Sequence, residues 1–428
     1  MNDERSKIIA HAICTYCACT CDDIVVTVES DQITRTQHTC TLGEAWFGMR
    51  STETRPVALL DGRAAALDEA VAMAAQVLNS ARSLVIYGLS ETTCEAQQQA
   101  VALADLLGAT IDTAAAVTQG LSGLAFQGMG KSTGTFGEVR NRSDLIVYWG
   151  ANPVETHPRH LERFVAPKVR RNRTVIVIDT QRTRTAEEAD LFVQIKPDSD
   201  FELLWALRAL LKGKPIDAGI EQSTGVSLAA MTALLEQMKS CHYGTFFFGA
   251  GLLQTQAAHY NADALLALTT DLNQYTRFVA LPAVGNGNTS GANNVLAWQT
   301  GYPFAVNFSR SFPRSNPGEF SVNNMLARGE ADAALIIASD PAGSLSAAAM
   351  NHLKHIPTIV LHHKPTAIAT TAKVAFTSAT YGIHTGGTVY RMDEVSLTLR
   401  PTLVSTFPTD EAILTAIKER VLTLKGIG

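Results

Sequence analysis

Cys14, Cys17, Cys21 and Cys40 follow one another as Cys-x2-Cys-x3-Cys-x18-Cys in the stretch that opens "AICTYCACTCDDI". A tight loop of three thiols plus one distant thiol can converge on a single iron–sulfur cluster. An all-cysteine tetrahedral zinc site would use the same residues, and the spacing does not choose between them. Cys19 falls outside the pattern, and Cys94 and Cys241 lie far from it, so all three are expected to be bystanders. Seven cysteines in all, an odd number with four of them in one loop, argue against a secreted disulfide framework and for metal.

Two further spots could meet a ligand. "VYWGANP" (147–153) and "IIASDP" (336–341) are each an apolar run, a small residue and then Asn-Pro or Asp-Pro. In open α/β sheets ligands lie beyond the carboxyl ends of strands, where both dipeptides fall, although either is also a good turn former. His157 and His160 stand three apart with no third ligand near them in sequence, which suits structural histidines. The pairs in "HLKH" (352–355) and "LHHK" (361–364) read as surface or strand-end residues. There is no GxSxG elbow, P-loop or HExxH.

The elements that must position these residues alternate. "ALDEAVAMAAQVL" places Leu67, Val71, Ala74 and Leu78 at helical spacing and leads into the strand-like "SLVIYG". Apolar runs follow at 145–150, 174–179, 191–195, 245–249, 277–281, 334–340 and 358–363, with helical patterns between several of them. Such alternation predicts two doubly wound, parallel-sheet α/β domains. Residues 1–52 read as a Cys-rich β cap, 53–140 plus 283–428 as the first α/β domain, and 141–282 as the second. The stretch from 283 to about 325, rich in Gly, Asn, Ser and Pro, reads as a long functional loop.

Composition narrows the classes. With 428 residues, 46% hydrophobic and 18% charged, the chain is globular and long enough for more than one core. A net charge of −5 without a basic tract excludes nucleic acid as a partner. No apolar run reaches a membrane span and no apolar stretch follows the first residues, so a soluble cytoplasmic protein is expected.

The cysteine pattern ahead of an α/β chain resembles the molybdopterin oxidoreductases. "EVRNRSDLIVYWGANPVETHPRHLERF", "GYPFAVNFSRSFPRSNPGEFSVNNMLARGEADAALIIASDP" and "GIHTGGTVYRMDEV" resemble the B-type subunit of formylmethanofuran dehydrogenases. That resemblance covers essentially the whole chain. It implies the two α/β domains of the molybdopterin fold, here without the C-terminal β-barrel of larger members. It also implies one 4Fe-4S cluster, a tungsten or molybdenum bis-pterin, and reduction of CO2 to formate beside a separate amidohydrolase subunit.

Several residues depart from what the resemblance implies. Thr118 and Gln119 occupy the positions of the metal-ligating Cys or selenocysteine and the catalytic His. Val284 and Asn286 stand in place of an Arg and a His. A hydroxyl is a poor ligand for molybdenum or tungsten, Gln moves no proton near neutrality, and Val cannot clamp a carboxylate. The pterin supports are altered too: Gln181 stands where Arg is usual, Asp198 where Gly is common, and Leu42, Lys373, Ser378 and His384 replace other usual residues. Asn152, Pro153, Asp179, Gln181 and Asp340 would then outline a vestigial pterin cleft, with the bis-pterin absent.

This pattern is similar to the B-type subunit of the formyltransferase/hydrolase complex of methylotrophic bacteria. There the subunit is a scaffold in tetrahydromethanopterin- and methanofuran-linked oxidation of formaldehyde to formate. The resemblance implies amidohydrolase (A-type), formyltransferase (D-type) and C-type partner subunits, and contact with a methanofuran-type carrier. Cys14, Cys17, Cys21 and Cys40 would retain a 4Fe-4S cluster or a structural zinc.

Overall fold

The structure is a computed structural model that describes residues 6–48, 55–165, 172–255, 258–283 and 285–427, with residues 117–122 and 124 as backbone only. The chain divides into two compact units. The first comprises 1–120, 286–391 and 396–428, and the second 121–285 and 392–395. The division falls inside the helix Ala116–Met129, which begins in the segment carrying Thr118 and Gln119.

The first unit is built on a nine-stranded sheet. Its order is Arg314–Ser315, Val306–Asn307, Thr110–Thr113, Leu84–Gly88, Ala333–Ile337, Thr358–His362, Val374–Thr377, Ala58–Leu60 and Arg63–Ala65. The five strands from Thr110–Thr113 to Val374–Thr377 run parallel and the outer pairs are antiparallel. The three inner ones, Leu84–Gly88, Ala333–Ile337 and Thr358–His362, are buried along their whole length. That is why they read as unbroken apolar runs: helices cover both faces, so there is no polar side to alternate with. Helices Leu67–Ser80, Cys94–Leu107 and Asp410–Lys425 bury one face through Ala70, Ala74, Leu78, Ala100, Leu103, Ile413 and Ile417. On the other face Val322, Leu326, Ala349 and Leu353 pack on Tyr87, Ile336 and Val360.

A three-stranded antiparallel sheet, Ser6–Ala12, Ile24–Glu29 and Gln32–Gln37, carries the cysteine loop between its first two strands. Ile24, Val26 and Val28 give it a buried side.

The second unit has a five-stranded parallel sheet. Its order is Leu191–Gln194, Thr174–Asp179, Leu145–Trp149, Tyr243–Phe248 and Arg277–Pro282. Its core joins Val147, Trp149, Ile176, Phe246, Phe248 and Phe278 to Leu203, Leu207, Leu234 and Leu265 from the helices.

The stretch 283–325 differs from the loop expected. It contains the twelve-residue helix Thr289–Thr300, two short strands and the helices Pro317–Phe320 and Val322–Ala327. The helical stripe is Gly291, Ala292, Val295 and Leu296, all buried. Two small residues in that stripe, flanked by Asn, hid the periodicity. Among the described residues no helix is long and apolar enough to cross a membrane.

Candidate functional site

The cysteine loop closes on itself before it meets anything else. Cys14 N–H donates to Cys21 O at 2.9 Å and Thr20 N–H to Cys17 O at 3.1 Å, with Thr20 held at φ 43°. Cys40 sits just ahead of the helix Thr41–Gly48 and accepts from Glu44 N–H at 2.8 Å. Gly43 on that helix lies against Cys14: a Cβ there would stand 3.4 Å from the Cys14 Sγ. Cys14, Cys17 and Cys21 are buried and Cys40 half-buried, and none is in a disulfide. Burial, and then the neighbouring sulfurs of Cys17, Cys21 and Cys40, hold the Cys14 thiol well above its ordinary value. All four predicted thiols therefore face one another, in an arrangement able to take a metal. Cys19 differs from the bystander expected, because its thiol hydrogen-bonds to Cys17 and holds that group down.

The four thiols suit either a 4Fe-4S cluster or an all-cysteine zinc. A second group of metal-capable side chains, Glu91, His362 and His363, has its ligand atoms within 4.8 Å of one another.

The loop is buttressed by two distant segments of the same unit. Cys17 pairs with Asn286 as an isolated antiparallel bridge, and Gly287 N–H donates to Tyr16 O at 3.0 Å. Tyr381 is fully buried, and its hydroxyl donates to Thr15 O at 2.7 Å. Trp46 packs edge-on against Tyr16, His363 and Tyr381, with ring centroids 5.5–6.1 Å apart. Gly287 must be glycine: at φ 54° a Cβ would come within 2.4 Å of Ser90 O and 2.6 Å of the Tyr381 hydroxyl. Asn288 then fastens the turn, donating to Thr92 O at 2.9 Å and accepting from Tyr390 N–H at 2.8 Å.

Of the positions expected to be degenerate, Asn286 is exposed at this buttress. Thr118 and Gln119 lie on the helix Ala116–Met129, but their side chains fall outside the described residues, as does Val284 altogether.

The residues of the expected pterin cleft fall in both units. In the second, Asn152 caps the short helix Pro153–Thr156, its Oδ1 accepting from the Thr185 hydroxyl at 2.7 Å. Asp179 ends its strand and turns its Oδ1 back onto Thr180 N–H at 2.7 Å, and Gln181 is exposed. Burial, and then Asp179 and Asp198 (the latter at φ 59°), push the nearby Asp200 up to about 6 against the Trp149 Nε1–H that binds it at 2.7 Å. His157 and His160 are buried in this unit. His160 lies among Phe136, Tyr148 and Phe247, and burial holds it down at about 3. In the first unit Asp340 caps Pro341–Gly343 through a 3.0 Å bond from Ala342 N–H. Asn152 and Asp340 each stand three residues beyond a sheet strand, Leu145–Trp149 and Ala333–Ile337.

Of the two placements expected for His362 and His363, surface or strand end, the structure gives the second: both are buried at the end of the strand Thr358–His362. Glu91, from beyond the strand Leu84–Gly88, meets them, its Oε2 lying 3.8 Å from His362 Nε2 and 3.4 Å from His363 Nε2. Lys364 Nζ sits 2.8 Å from the same oxygen and 2.9 Å from Oε1. Burial pushes Glu91 up and Lys364 pulls it down. Sequence reasoning missed this cluster because Glu91 is 273 positions from Lys364. The doubled histidine at a strand end was its one signal.

A family model for molybdopterin oxidoreductases matches residues 64–369. The chain is 39% identical over 408 residues to the B-type subunit of the tungsten-containing formylmethanofuran dehydrogenase 2 of Methanocaldococcus jannaschii, covering 92% of this chain and 93% of that one. It is 29% identical over 290 residues to the B-type subunit of the formyltransferase/hydrolase complex of Methylorubrum extorquens, covering 67% and 75%. Among solved structures, that complex, determined with methylofuran, matches with a TM-score of 0.70 at 26% identity, over 87% of this chain and all of the matched one. Acetylene hydratase from Pelobacter acetylenicus matches in fold, with a TM-score of 0.72 at 13% identity, over 98% of this chain and 69% of the hydratase. The parallel sheets, the four-thiol loop and these likenesses agree, and the chain belongs to the molybdopterin oxidoreductase family, as a homologue of the B-type subunit of formylmethanofuran dehydrogenases.

Proposed function

We propose that this chain is the non-catalytic, B-type scaffold subunit of a cytoplasmic formyltransferase/hydrolase complex. It would act in tetrahydromethanopterin- and methanofuran-linked oxidation of formaldehyde to formate. The carrying observation is the identity of three residues: Thr118, Gln119 and Val284 offer no thiolate, imidazole or guanidinium where the redox reaction needs them. Likeness to the Methylorubrum extorquens complex supports amidohydrolase, formyltransferase and C-type subunits as partners, and a methanofuran-type carrier as the molecule they handle. The buried, mutually neighbouring thiols of Cys14, Cys17, Cys21 and Cys40 support a 4Fe-4S cluster or a structural zinc held by those four residues. Either would act here as a structural staple for the small sheet around it.

A second reading, an active tungsten or molybdenum subunit reducing CO2, is favoured by the 39% identity to the Methanocaldococcus jannaschii protein. One measurement separates the two: molybdenum, tungsten, iron, zinc and pterin assayed in the natively purified complex. The scaffold reading expects iron or zinc with neither molybdenum, tungsten nor pterin. Tungsten or molybdenum near one per chain, with pterin, would overturn it.

A further inference from the structure

The carboxyl ends of Leu84–Gly88, Ala333–Ile337 and Thr358–His362 lie side by side. From the first of these strands the chain leaves to Thr110–Thr113 on one side, while Ala333–Ile337 pairs on the other. That reversal is the switch point where open α/β sheets bind phosphate-bearing ligands. In this unit the backbone there is already joined: Leu89 N–H donates to Ile337 O at 2.7 Å and Glu91 N–H to Ala338 O at 2.9 Å.

Those bonds bring Glu91 over the strand ends, where groups suited to an anion surround it. The Lys364 ammonium bridges both carboxylate oxygens, at 2.8 and 2.9 Å. His362 Nδ1 accepts Lys364 N–H at 3.1 Å, so the neutral ring keeps its proton on Nε2, the nitrogen 3.8 Å from Glu91. Arg55 adds positive charge beside them, its Nη2 donating to His363 O at 2.9 Å. The spacing of Glu91, His362 and His363 resembles a two-histidine, one-carboxylate metal site, but two features exclude a metal. Lys364 fills the cation position, and His362 presents a proton where a metal needs a lone pair.

We propose that Glu91 is a resident anion: its carboxylate, held by the Lys364 ammonium at the switch point with His362 alongside, occupies the place of an oxyanion and keeps phosphate-bearing ligands out. An incoming pyrophosphate would have to displace Glu91 from its ammonium and would then lie beside both the Glu91 and Asp340 carboxylates. The proposal rests on the reading that this unit no longer takes a pterin dinucleotide. It adds the mechanism of exclusion and the ligand class excluded.

The test is titration of the purified complex with inorganic pyrophosphate by calorimetry. The wild-type complex should show no saturable binding. Glu91→Gln removes the competing charge and should gain saturable, salt-sensitive binding tighter by about tenfold or more. Adding Lys364→Met should abolish that gain. Thermal melts establish that each variant is folded, and Glu91→Ala serves in the same way if Glu91→Gln is not. Pyrophosphate binding by wild type as tight as by the variants overturns the proposal, and so does a folded Glu91 variant that gains nothing. Pterin assayed in the same samples keeps the outcomes apart. Pterin in the wild type overturns the scaffold role, whereas an absent gain without pterin overturns the resident anion alone.

Discussion

Asp112 shows what a single buried carboxyl group does in this fold. It is 1% exposed, and its two oxygens accept three backbone N–H groups: Thr113 at 3.0 Å, Ala305 at 2.9 Å and Val322 at 3.0 Å. It thereby ties both ends of the segment 305–322 to the strand Thr110–Thr113, with Ala305 held at φ 49°. Asp112→Asn keeps one acceptor oxygen but points an NH2 at a buried N–H. Leaving that donor unsatisfied should destabilise the fold by about 1–3 kcal/mol in urea unfolding. The pH dependence has a definite sign. Burial raises Asp112 from 3.8 to about 7 against the pull of those N–H groups, so its contribution is fully present below 3.8 and is lost as pH rises through about 7. The stability gap between wild type and Asp112→Asn should therefore shrink between about pH 4.5 and 7.5. A gap that widens would show Asp112 to be ionised when folded. Neither Asp112 nor Glu91 could be picked out from sequence, because their partners lie some two hundred positions or more away. The four thiols could, because three of them lie within eight residues and their chemistry is local.

Elements were the most legible scale, for a physical reason. A strand covered on both faces must be apolar throughout, and Leu84–Gly88, Leu145–Trp149, Thr174–Asp179 and Thr358–His362 announce themselves that way. What escaped was where small residues carry the packing, as in the helix Thr289–Thr300. The strand Tyr243–Phe248 is a second case: it begins two residues before the expected "TFFFG" because Gly244 belongs to it. A glycine weakens a strand unless something needs the space. Here the Phe278 ring from the neighbouring strand lies across it, and a Cβ would come within 2.0 Å of that ring. Gly244→Ala should force Phe278 off Phe246, whose ring it meets at 4.6 Å, and cost about 1–3 kcal/mol by overpacking. Phe278→Leu in the same chain should recover much of the loss. If Gly244→Ala unfolds at the wild-type urea concentration, the ring is not what excludes a side chain there.

At the scale of the whole chain, the two units have separate cores, and the four-thiol cradle belongs wholly to the first. The small sheet that carries it has a poorly covered first strand, with Ile8 70% exposed, so hydrophobic burial gives that strand little stability of its own. What holds it is the loop's closure on itself and its bonds to Tyr381, Gly287 and Asn286. A metal joining four thiols would make those contacts cooperative, since its binding free energy is folding free energy. Chelation should therefore act locally. Stripping the metal should speed backbone hydrogen exchange at Cys14–Cys21, at Asn286–Asn288 and around Tyr381, and lower the melting temperature of the first unit. Exchange in Leu145–Trp149 and Tyr243–Phe248, strands whose core contains none of the cradle, should stay as slow as before. If the cysteine loop remains equally protected after iron and zinc are shown to be gone, aromatic packing around Trp46 and Tyr381 alone sustains it, and the thiols are not a staple. If both units lose protection together, the cores unfold as one and metal binding stabilises the whole chain.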